Sequence, residues 1–169
     1  MELFQTVGYE ETTVAQIADR AGVTARTFFR YFADKPEVLF AGSENLQLEM
    51  VAALQAAPAD ATPLQALRVA LDAAADLLAP RADFARQRHA IISANPALAE
   101  RELMKMARLA DGLAATLRDR GVSAPRASMT AQAAVAAFRV AFATWVERPK
   151  SSLKRLIGEN LEIVAHLGG

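Results

Sequence analysis

Apolar residues recur at helical spacing along most of the chain. Leu64, Leu67, Leu71, Ala74 and Leu78, for example, form one face with a repeat of three to four residues. No segment shows the strict alternation of apolar and polar positions that marks a half-buried strand. The pattern therefore predicts an all-α protein of about nine helices.

Capping residues and helix breakers place the ends of these helices. Thr13 is followed three residues later by a glutamine, which is a capping box, and Asn95 precedes a proline as a cap should. Glycines and prolines supply the stops. The predicted helices cover approximately residues 2–7, 14–20, 25–31, 35–56, 63–79, 81–94, 96–120, 126–147 and 152–167.

Composition removes several function classes. The chain is 53% hydrophobic, has no net charge and contains no cysteine, so disulfides, zinc–thiolate sites and thiol nucleophiles are excluded. Its two histidines are far apart, and no HExxH, phosphate-binding glycine loop or Ser/His/Asp grouping occurs. We expect no enzyme, metal site or cofactor. The start lacks a signal peptide, and Arg139 interrupts the longest alanine-rich stretch, so we expect a cytoplasmic protein without membrane association.

The segment GVTARTFFRYF, residues 22–32, has two distinct helical faces. At about 100° per residue, Phe28 and Phe32 share one face, and Arg26 and Arg30 share another on roughly the opposite side. Thr27 lies beside the arginines, with Phe29 and Tyr31 on the flanks. One face therefore anchors the helix and the other presents cations.

The preceding helix supplies a partner for the anchoring face. Val14, Ile17, Ala18 and Ala21 form an apolar stripe, and Gly22 follows as a tight turn. Two short helices that cross through such a turn are typical of a helix-turn-helix, whose second helix enters the major groove of DNA. The first forty residues hold four basic and six acidic groups, so DNA affinity would have to come from placed cations.

The run GYEETTVAQIADRAGVTARTFFRYFADKPEVLF closely resembles the DNA-binding segment of the tetracycline-repressor (TetR) family of transcriptional regulators, over approximately residues 3–40. The resemblance implies an all-α homodimer whose helix-turn-helix head, residues 1–42, is joined to a helical ligand-binding and dimerisation domain, residues 43–169. Family members usually start their first helix earlier, so we expect that helix to be shortened here. By position, the DNA-contacting residues implied are Thr13, Thr24, Ala25, Arg26, Thr27, Phe29, Arg30, Tyr31 and Lys35.

Inward faces of the middle helices supply candidate ligand-binding residues. They are His89, Ile92, Met106, Leu109, Phe142 and Trp145. Each has an ordinary alternative: a satisfied or surface histidine, core packing for Met106 and Leu109, and a dimer interface for Trp145. An apolar pocket with few polar groups would take a hydrophobic or amphipathic effector.

Two further assignments concern the long C-terminal helices. Helix 126–147 carries alanines and aromatics on overlapping faces, so it is either a central core helix or, with helix 152–167, the interface of a homodimer. The cluster Glu100, Arg101, Glu102 and Lys105 is interpreted as a solvated face, with a Glu102–Lys105 pair within the helix.

The most consistent function is a DNA-binding transcriptional regulator. We expect a small-molecule-responsive repressor that binds a pseudo-palindromic double-stranded DNA operator as a dimer. The alternative is a helical dimeric module that binds a small molecule and has impaired or lost DNA binding.

Overall fold

A computed structural model describes residues 1–166, and these residues are helical without any strand. They form ten α-helices: α1 Glu2–Thr6, α2 Val14–Arg20, α3 Ala25–Tyr31, α4 Glu37–Phe40, α5 Ser43–Ala56, α6 Pro63–Leu78, α7 Ala82–Ser93, α8 Pro96–Asp119, α9 Ala124–Glu147 and α10 Leu153–His166. A 3-10 turn, Ala79–Arg81, joins α6 to α7. The predicted all-α class is confirmed. Residue 167, where the last helix was expected to end, lies outside the described part.

The predicted caps form as hydrogen bonds. Thr13 and Thr62 each close a capping box with the glutamine three residues on. Thr24 caps α3 by accepting from the amide of Thr27, and Asn95 caps α8. Each such cap satisfies an amide that would otherwise lack a partner at the start of a helix.

The expected long helix over 35–56 is wrong, because the chain turns at Gly42. This glycine has φ of 89°, a left-handed conformation that ends α4 and sets the direction of α5. Asp34 still provides the predicted cap, since its carboxylate accepts from the amide of Glu37 at 3.0 Å. The break ends α4 before α5 begins; residues 1–42 are called the head below, and the residues after them the body.

The main core lies among α5, α6, α8, α9 and α10. Leu67 and Leu71 of α6 and Leu113 of α8 are fully buried there. One side of α9 is lined by buried alanines, which let the neighbouring helices approach closely. Among the described helices, α9 is long and apolar enough to cross a membrane by length and composition alone, contrary to the expectation based on Arg139. Its burial in this core accounts for much of its apolar character.

A second, smaller core cluster joins the head to the body. Phe4 from α1 and Leu39 and Phe40 from α4 pack with Ile92 of α7 and Leu98 of α8. All five side chains are at most 5% exposed. The head is therefore attached to the body by apolar side chains from both parts that bury one another.

Candidate nucleic-acid interface and effector pocket

The turn between α2 and α3 fixes the two helices tightly. Gly22 has φ of 67°, the Val23 amide donates to the Ala18 carbonyl at 2.9 Å, and the Gly22 amide donates to the Asp19 carbonyl at 2.9 Å. This pair of bonds is a Schellman motif, in which a left-handed residue closes the end of a helix. Ala18 is buried beneath the turn. The helix-turn-helix geometry predicted from the small residues is therefore present.

Helix α3 divides into the two faces that its helical phase predicted. Phe28 is buried, and its ring centroid lies 5.2 Å from that of Phe32, which is half-buried. Arg26 and Arg30 are exposed. Tyr31 is 69% exposed, an unusual position for so large an aromatic side chain. The anchoring and presenting faces are thus separate.

Several side chains of the presenting face are held in place by their neighbours. A terminal nitrogen of Arg30 donates to the Tyr31 hydroxyl at 3.1 Å, and the guanidinium lies over the Tyr31 ring, 4.9 Å from its centroid. The Thr24 and Thr27 hydroxyls are 3.1 Å apart. Ala25 and Phe29 are exposed beside them. The residues predicted on α3 therefore form one contiguous exposed surface apart from the half-buried Thr27.

The two predicted flanking residues differ in their freedom. Thr13 is exposed at the start of α2, where its hydroxyl is used in the capping box. Lys35 is half-buried, and its ammonium donates to the carbonyls of Tyr9 at 2.7 Å and Glu10 at 3.2 Å while lying over the Tyr9 ring. Two of its three N–H groups are therefore occupied, so Lys35 orders the loop before α2 as well as contributing positive charge.

Most of the acidic residues of the head form side-chain contacts with residues outside α3. Four of the six form side-chain contacts: Glu2 with Arg20, Glu10 with Asn95, Asp34 with Arg101, and Glu37 with both Arg101 and Lys105. Arg26 and Arg30, in contrast, form no ion pair within residues 1–166. The net negative charge of the first forty residues is thus largely engaged elsewhere, and the free cations lie on α3.

These contacts correct the expected solvated face on α8. Arg101 holds Asp34 through two parallel bonds of 2.7 and 2.8 Å, and Lys105 pairs with Glu37 at 3.3 Å instead of with Glu102. Residues of α8 therefore form an ionic clamp, Arg101 and Lys105 with Asp34 and Glu37, between body and head. Lys105 pairs with Glu37 and not with Glu102 because the contact with Glu37 brings opposite charges together where the side chains are partly buried.

The clamp also changes the titration of its members. The hydrogen bond from Arg101 is the main cause that holds the pKa of Asp34 below its usual range. The same bond raises the pKa of Arg101. At neutral pH Asp34 and Arg101 are therefore both fully ionised.

Tyr9 lies outside the clamp. Burial, followed by the nearby charge of Glu10, raises the pKa of Tyr9.

A cavity of about 630 Å³ lies between the head and the middle helices. Four of the six predicted ligand-binding residues line it: His89, Ile92, Met106 and Phe142. Leu109 and Trp145 lie in the main core instead, although the Trp145 ring packs 5.7 Å from that of Phe142. The wall is mostly apolar, as expected for a small-molecule site.

The polar part of the cavity wall contains residues that the sequence interpretation missed. Arg81, Arg88, Glu102 and Arg139 all line the cavity. Helical phase could assign each to an exposed or an inward face of its own helix, but it could not show that faces of different helices meet around one cavity. The arginines close together in sequence at positions 81, 86 and 88 were the one signal available, and such a group is equally typical of an ordinary surface helix.

His89 is the polar group of the wall whose hydrogen bonding is incomplete. Its Nε2 lies 3.3 Å from the Ser93 hydroxyl, and its ring meets Phe142 edge-on at 5.8 Å. Its Nδ1 is buried and has no partner within the described residues. A buried nitrogen in this state favours a ligand or a water as its partner.

Helices α9 and α10 carry large apolar side chains that are exposed to solvent. Met129 and Val140 of α9 and Ile163 of α10 are between 59% and 71% exposed. The alanines and aromatics of α9 that suggested an interface are mostly buried: Ala134, Ala137, Phe138, Ala141 and Trp145. One side of α9 therefore packs in the core, and the opposite side is exposed, with Val140 on it also lining the cavity.

A helix-turn-helix head on a helical body with a cavity between them points to the class of bacterial transcriptional regulators, and comparison with known proteins specifies the family. Residues 1–41 match the model described as bacterial regulatory proteins, tetR family. Residues 61–167, more than half of the chain, match the model described as the MftR C-terminal domain, a TetR-type domain. The chain belongs to the TetR family.

Individual relatives agree with this assignment. The HTH-type transcriptional regulator TcmR of Streptomyces glaucescens is 48% identical over 67 residues, which span 40% of this chain and 30% of that protein. The crystal structure of Thermus thermophilus FadR, a TetR family transcriptional repressor in complex with lauroyl-CoA, matches 98% of this chain and 89% of its own with 24% identity and a TM-score of 0.63. The structure of PfmR, a TetR family transcriptional regulator also from Thermus thermophilus, matches 96% of this chain and 92% of its own, with 22% identity and a TM-score of 0.51. The two structures establish the shared fold.

Proposed function

We propose that this protein is a cytoplasmic, homodimeric transcriptional repressor that reads DNA with α3 and responds to a small molecule, without catalytic activity. The observation that carries the proposal is the division of α3. Phe28 fixes one face in the head, while Arg26 and Arg30 are exposed and unpaired by any acid within the described residues. Family membership gives the same function class.

DNA recognition would place α3 in the major groove. Arg26 and Arg30 can contact guanine edges or phosphates, and the Tyr31 hydroxyl can donate to a phosphate. Thr13 and Lys35 would lie on either side of this helix, close to the sugar-phosphate backbone of the DNA. Two copies of α3 in a dimer would occupy successive major grooves about one helical turn apart, which requires a pseudo-palindromic operator.

Dimerisation would use the exposed side of α9 together with α10. Met129 and Ile163 offer apolar area there, and Ala133 of the same α9 face allows close helix approach. Val140 and Ala136 lie on this face as well, where they also line the cavity. A self-complementary surface on two helices forms a four-helix interface around a two-fold axis. This arrangement would hold the two heads at a fixed separation.

The effector would bind in the cavity of about 630 Å³ between head and body. Its largely apolar wall favours a hydrophobic or amphipathic molecule. The T. thermophilus FadR structure holds lauroyl-CoA, an amphipathic ligand, in a similar fold. Effector binding would shift the dimer between DNA-competent and DNA-incompetent arrangements.

DNA binding is tested with operator DNA selected by the protein itself from a random pool. Arg26→Ala and Arg30→Ala should each weaken binding by about 1–3 kcal/mol if the side chain contacts a base. If the side chain contacts a phosphate, the substitution should reduce the steepness of the plot of log binding constant against log salt concentration by about 1. Fluorescence anisotropy over a range of salt concentrations separates the two cases. Arg108→Ala, which removes an exposed arginine from α8, is the matched control. Unchanged affinity in both α3 variants would remove them from the interface.

The alternative function, a helical dimer that binds a small molecule without reading DNA, is favoured by the cavity alone, since the cavity is independent of α3. Selection from the random pool discriminates between the two. Failure to enrich any sequence, combined with ligand binding in the cavity, would support the module and contradict the repressor.

A further inference from the structure

The cavity wall and the DNA-binding head meet at Arg88 of α7. Its Nε donates to the Leu39 carbonyl at 2.6 Å, and its Nη1 donates to the Glu102 carboxylate at 2.7 Å. The guanidinium carbon also lies 5.0 Å from the centroid of the Phe40 ring. Leu39 and Phe40 are the buried end of α4, in the small core cluster that attaches the head. Arg88 therefore contacts the cavity, α8 and the head at once.

Positive charge predominates in the polar part of the cavity wall. Arg81, Arg88 and Arg139 line the cavity, whereas Glu102 is the carboxylate in its wall and is already bonded to Arg88. Arg81 and Arg139 form no ion pair within residues 1–166. A guanidinium in a largely apolar surrounding binds a carboxylate or phosphate more strongly than it binds a neutral acceptor.

The geometry of Arg88 links binding of an anion to release of the head. A guanidinium binds a carboxylate bidentately along its side through Nε and Nη2, or at its end through both terminal nitrogens. The Glu102 carboxylate already occupies Nη1, which an end-on contact would need, and the Leu39 carbonyl occupies Nε, which a side-on contact would need. A charged acceptor that binds side-on must therefore displace this neutral carbonyl, and the exchange favours the charged acceptor.

We propose that the effector is an amphipathic anion whose charged group binds Arg88 and breaks the Arg88–Leu39 hydrogen bond, which loosens α4 and the head that it carries. The inference rests on the proposed role of the cavity as the effector site. The apolar tail of the effector would lie against the remaining wall, where Ile92, Met106 and Phe142 are found. His89 would donate or accept a second hydrogen bond through Nδ1.

The test uses three probes with the same ten-carbon chain and different head groups: decanoate, 1-decanol and decyltrimethylammonium. Trp145 is the chain's single tryptophan and packs against Phe142 in the cavity wall, so its fluorescence reports binding. We expect decanoate to bind the full-length protein at least tenfold more tightly than decanol. We also expect decanoate, but not decanol, to speed amide hydrogen exchange over residues 37–42.

Variants assign the effect to Arg88. Arg88→Met keeps a side chain of similar length without the charge and should abolish the preference for decanoate. Arg88→Lys keeps the charge but lacks the paired N–H donors of the guanidinium. It should retain part of the affinity for decanoate but lose the faster amide exchange over residues 37–42. Arg108→Gln removes an exposed arginine of α8 and should behave as the unmodified protein. The wild-type head-group series does not depend on any variant folding.

Each alternative outcome has a distinct meaning. Equal binding of decanoate and decanol, or tightest binding of the cation, overturns the anionic effector but leaves the cavity as an effector site. Tighter decanoate binding without faster exchange over 37–42 overturns the coupling to the head. Binding of none of the three probes contradicts the proposed effector site itself, and this inference with it.

Discussion

Replacing Asp34 with asparagine is expected to lower the free energy of unfolding by about 1 kcal/mol, because it removes the charge that Arg101 holds. At their N–O separations of 2.7 and 2.8 Å, a Coulomb energy of roughly 1.5 kcal/mol applies in bulk water and roughly 6 kcal/mol at an effective dielectric constant of 20. Asp34 and Arg101 keep 41% and 34% of their side-chain surface exposed, so the screened value is the relevant one. The bidentate geometry places the pair near the upper end of exposed ion pairs.

Asparagine isolates the charge from the helix cap. Asp34 also accepts the amide of Glu37, and asparagine caps about as well as aspartate. Asp34→Ala removes both functions and should cost about 1 kcal/mol more. A double-mutant cycle with Arg101→Gln should give a coupling energy of about 1 kcal/mol that falls in high salt.

Urea unfolding of the four proteins of the cycle provides the measurement, and amide exchange over residues 34–42 locates the effect. Free-energy changes that add to within about 0.3 kcal/mol would show that the two residues do not stabilise the protein jointly, and would refute the clamp. A stable coupling in 1 M salt would likewise contradict a mainly electrostatic origin.

The same pair fixes the sign of a pH effect. The pKa of Asp34 is lowered in the folded protein, so its contribution is present above the unfolded-state pKa of about 3.9 and is lost as the pH falls through the lower folded value. The stability difference between the wild type and Asp34→Asn should therefore be constant at neutral pH and disappear only in strong acid. A difference that vanishes between pH 5 and 7 would show that another group is responsible.

Three further substitutions test the fold. Gly42→Ala should destabilise by about 1–2 kcal/mol in urea unfolding because alanine disfavours the left-handed conformation, and an unchanged midpoint would contradict the observed turn. Leu71→Ala should cost about 2–5 kcal/mol in the same assay, since its fully buried side chain leaves a cavity, whereas a cost below 1 kcal/mol would place it outside the core. Arg120→Met should cost about 1.5–3 kcal/mol and speed amide exchange at the end of α5, because its guanidinium donates to four carbonyls from Leu54 to Pro58; unaltered exchange there would argue against this cap.

The presenting surface of α3 could be predicted because it depends on local information. Helical phase places Arg26 and Arg30 on one face and Phe28 on another, and Thr24 sets the start of the helix through a contact three residues away. The break at Gly42 was missed because Leu39 and Ala41 before this glycine and Glu44 and Leu46 after it favour a helix, and an isolated glycine is tolerated within helices.

The effector pocket was only partly predictable, because its residues are brought together by tertiary packing. His89 and Phe142 were identified from inward faces, but Arg88 and Glu102 meet across two helices, 14 residues apart. Leu109 and Trp145 share the apolar character of cavity residues and lie in the core instead. Periodicity shows which face of a helix turns inward, but not whether that face meets a side chain or an empty volume.

The small core cluster limits how the head can be exchanged between proteins. Phe4, Leu39 and Phe40 cover their apolar surface against Ile92 and Leu98, which belong to the body. A fragment of residues 1–42 would expose all three side chains to water and should be poorly folded alone. A chimera that joins this head to the body of another TetR protein would therefore also need Ile92 and Leu98 in that body. DNA specificity can then be transferred between proteins only with a set of residues larger than the helix-turn-helix.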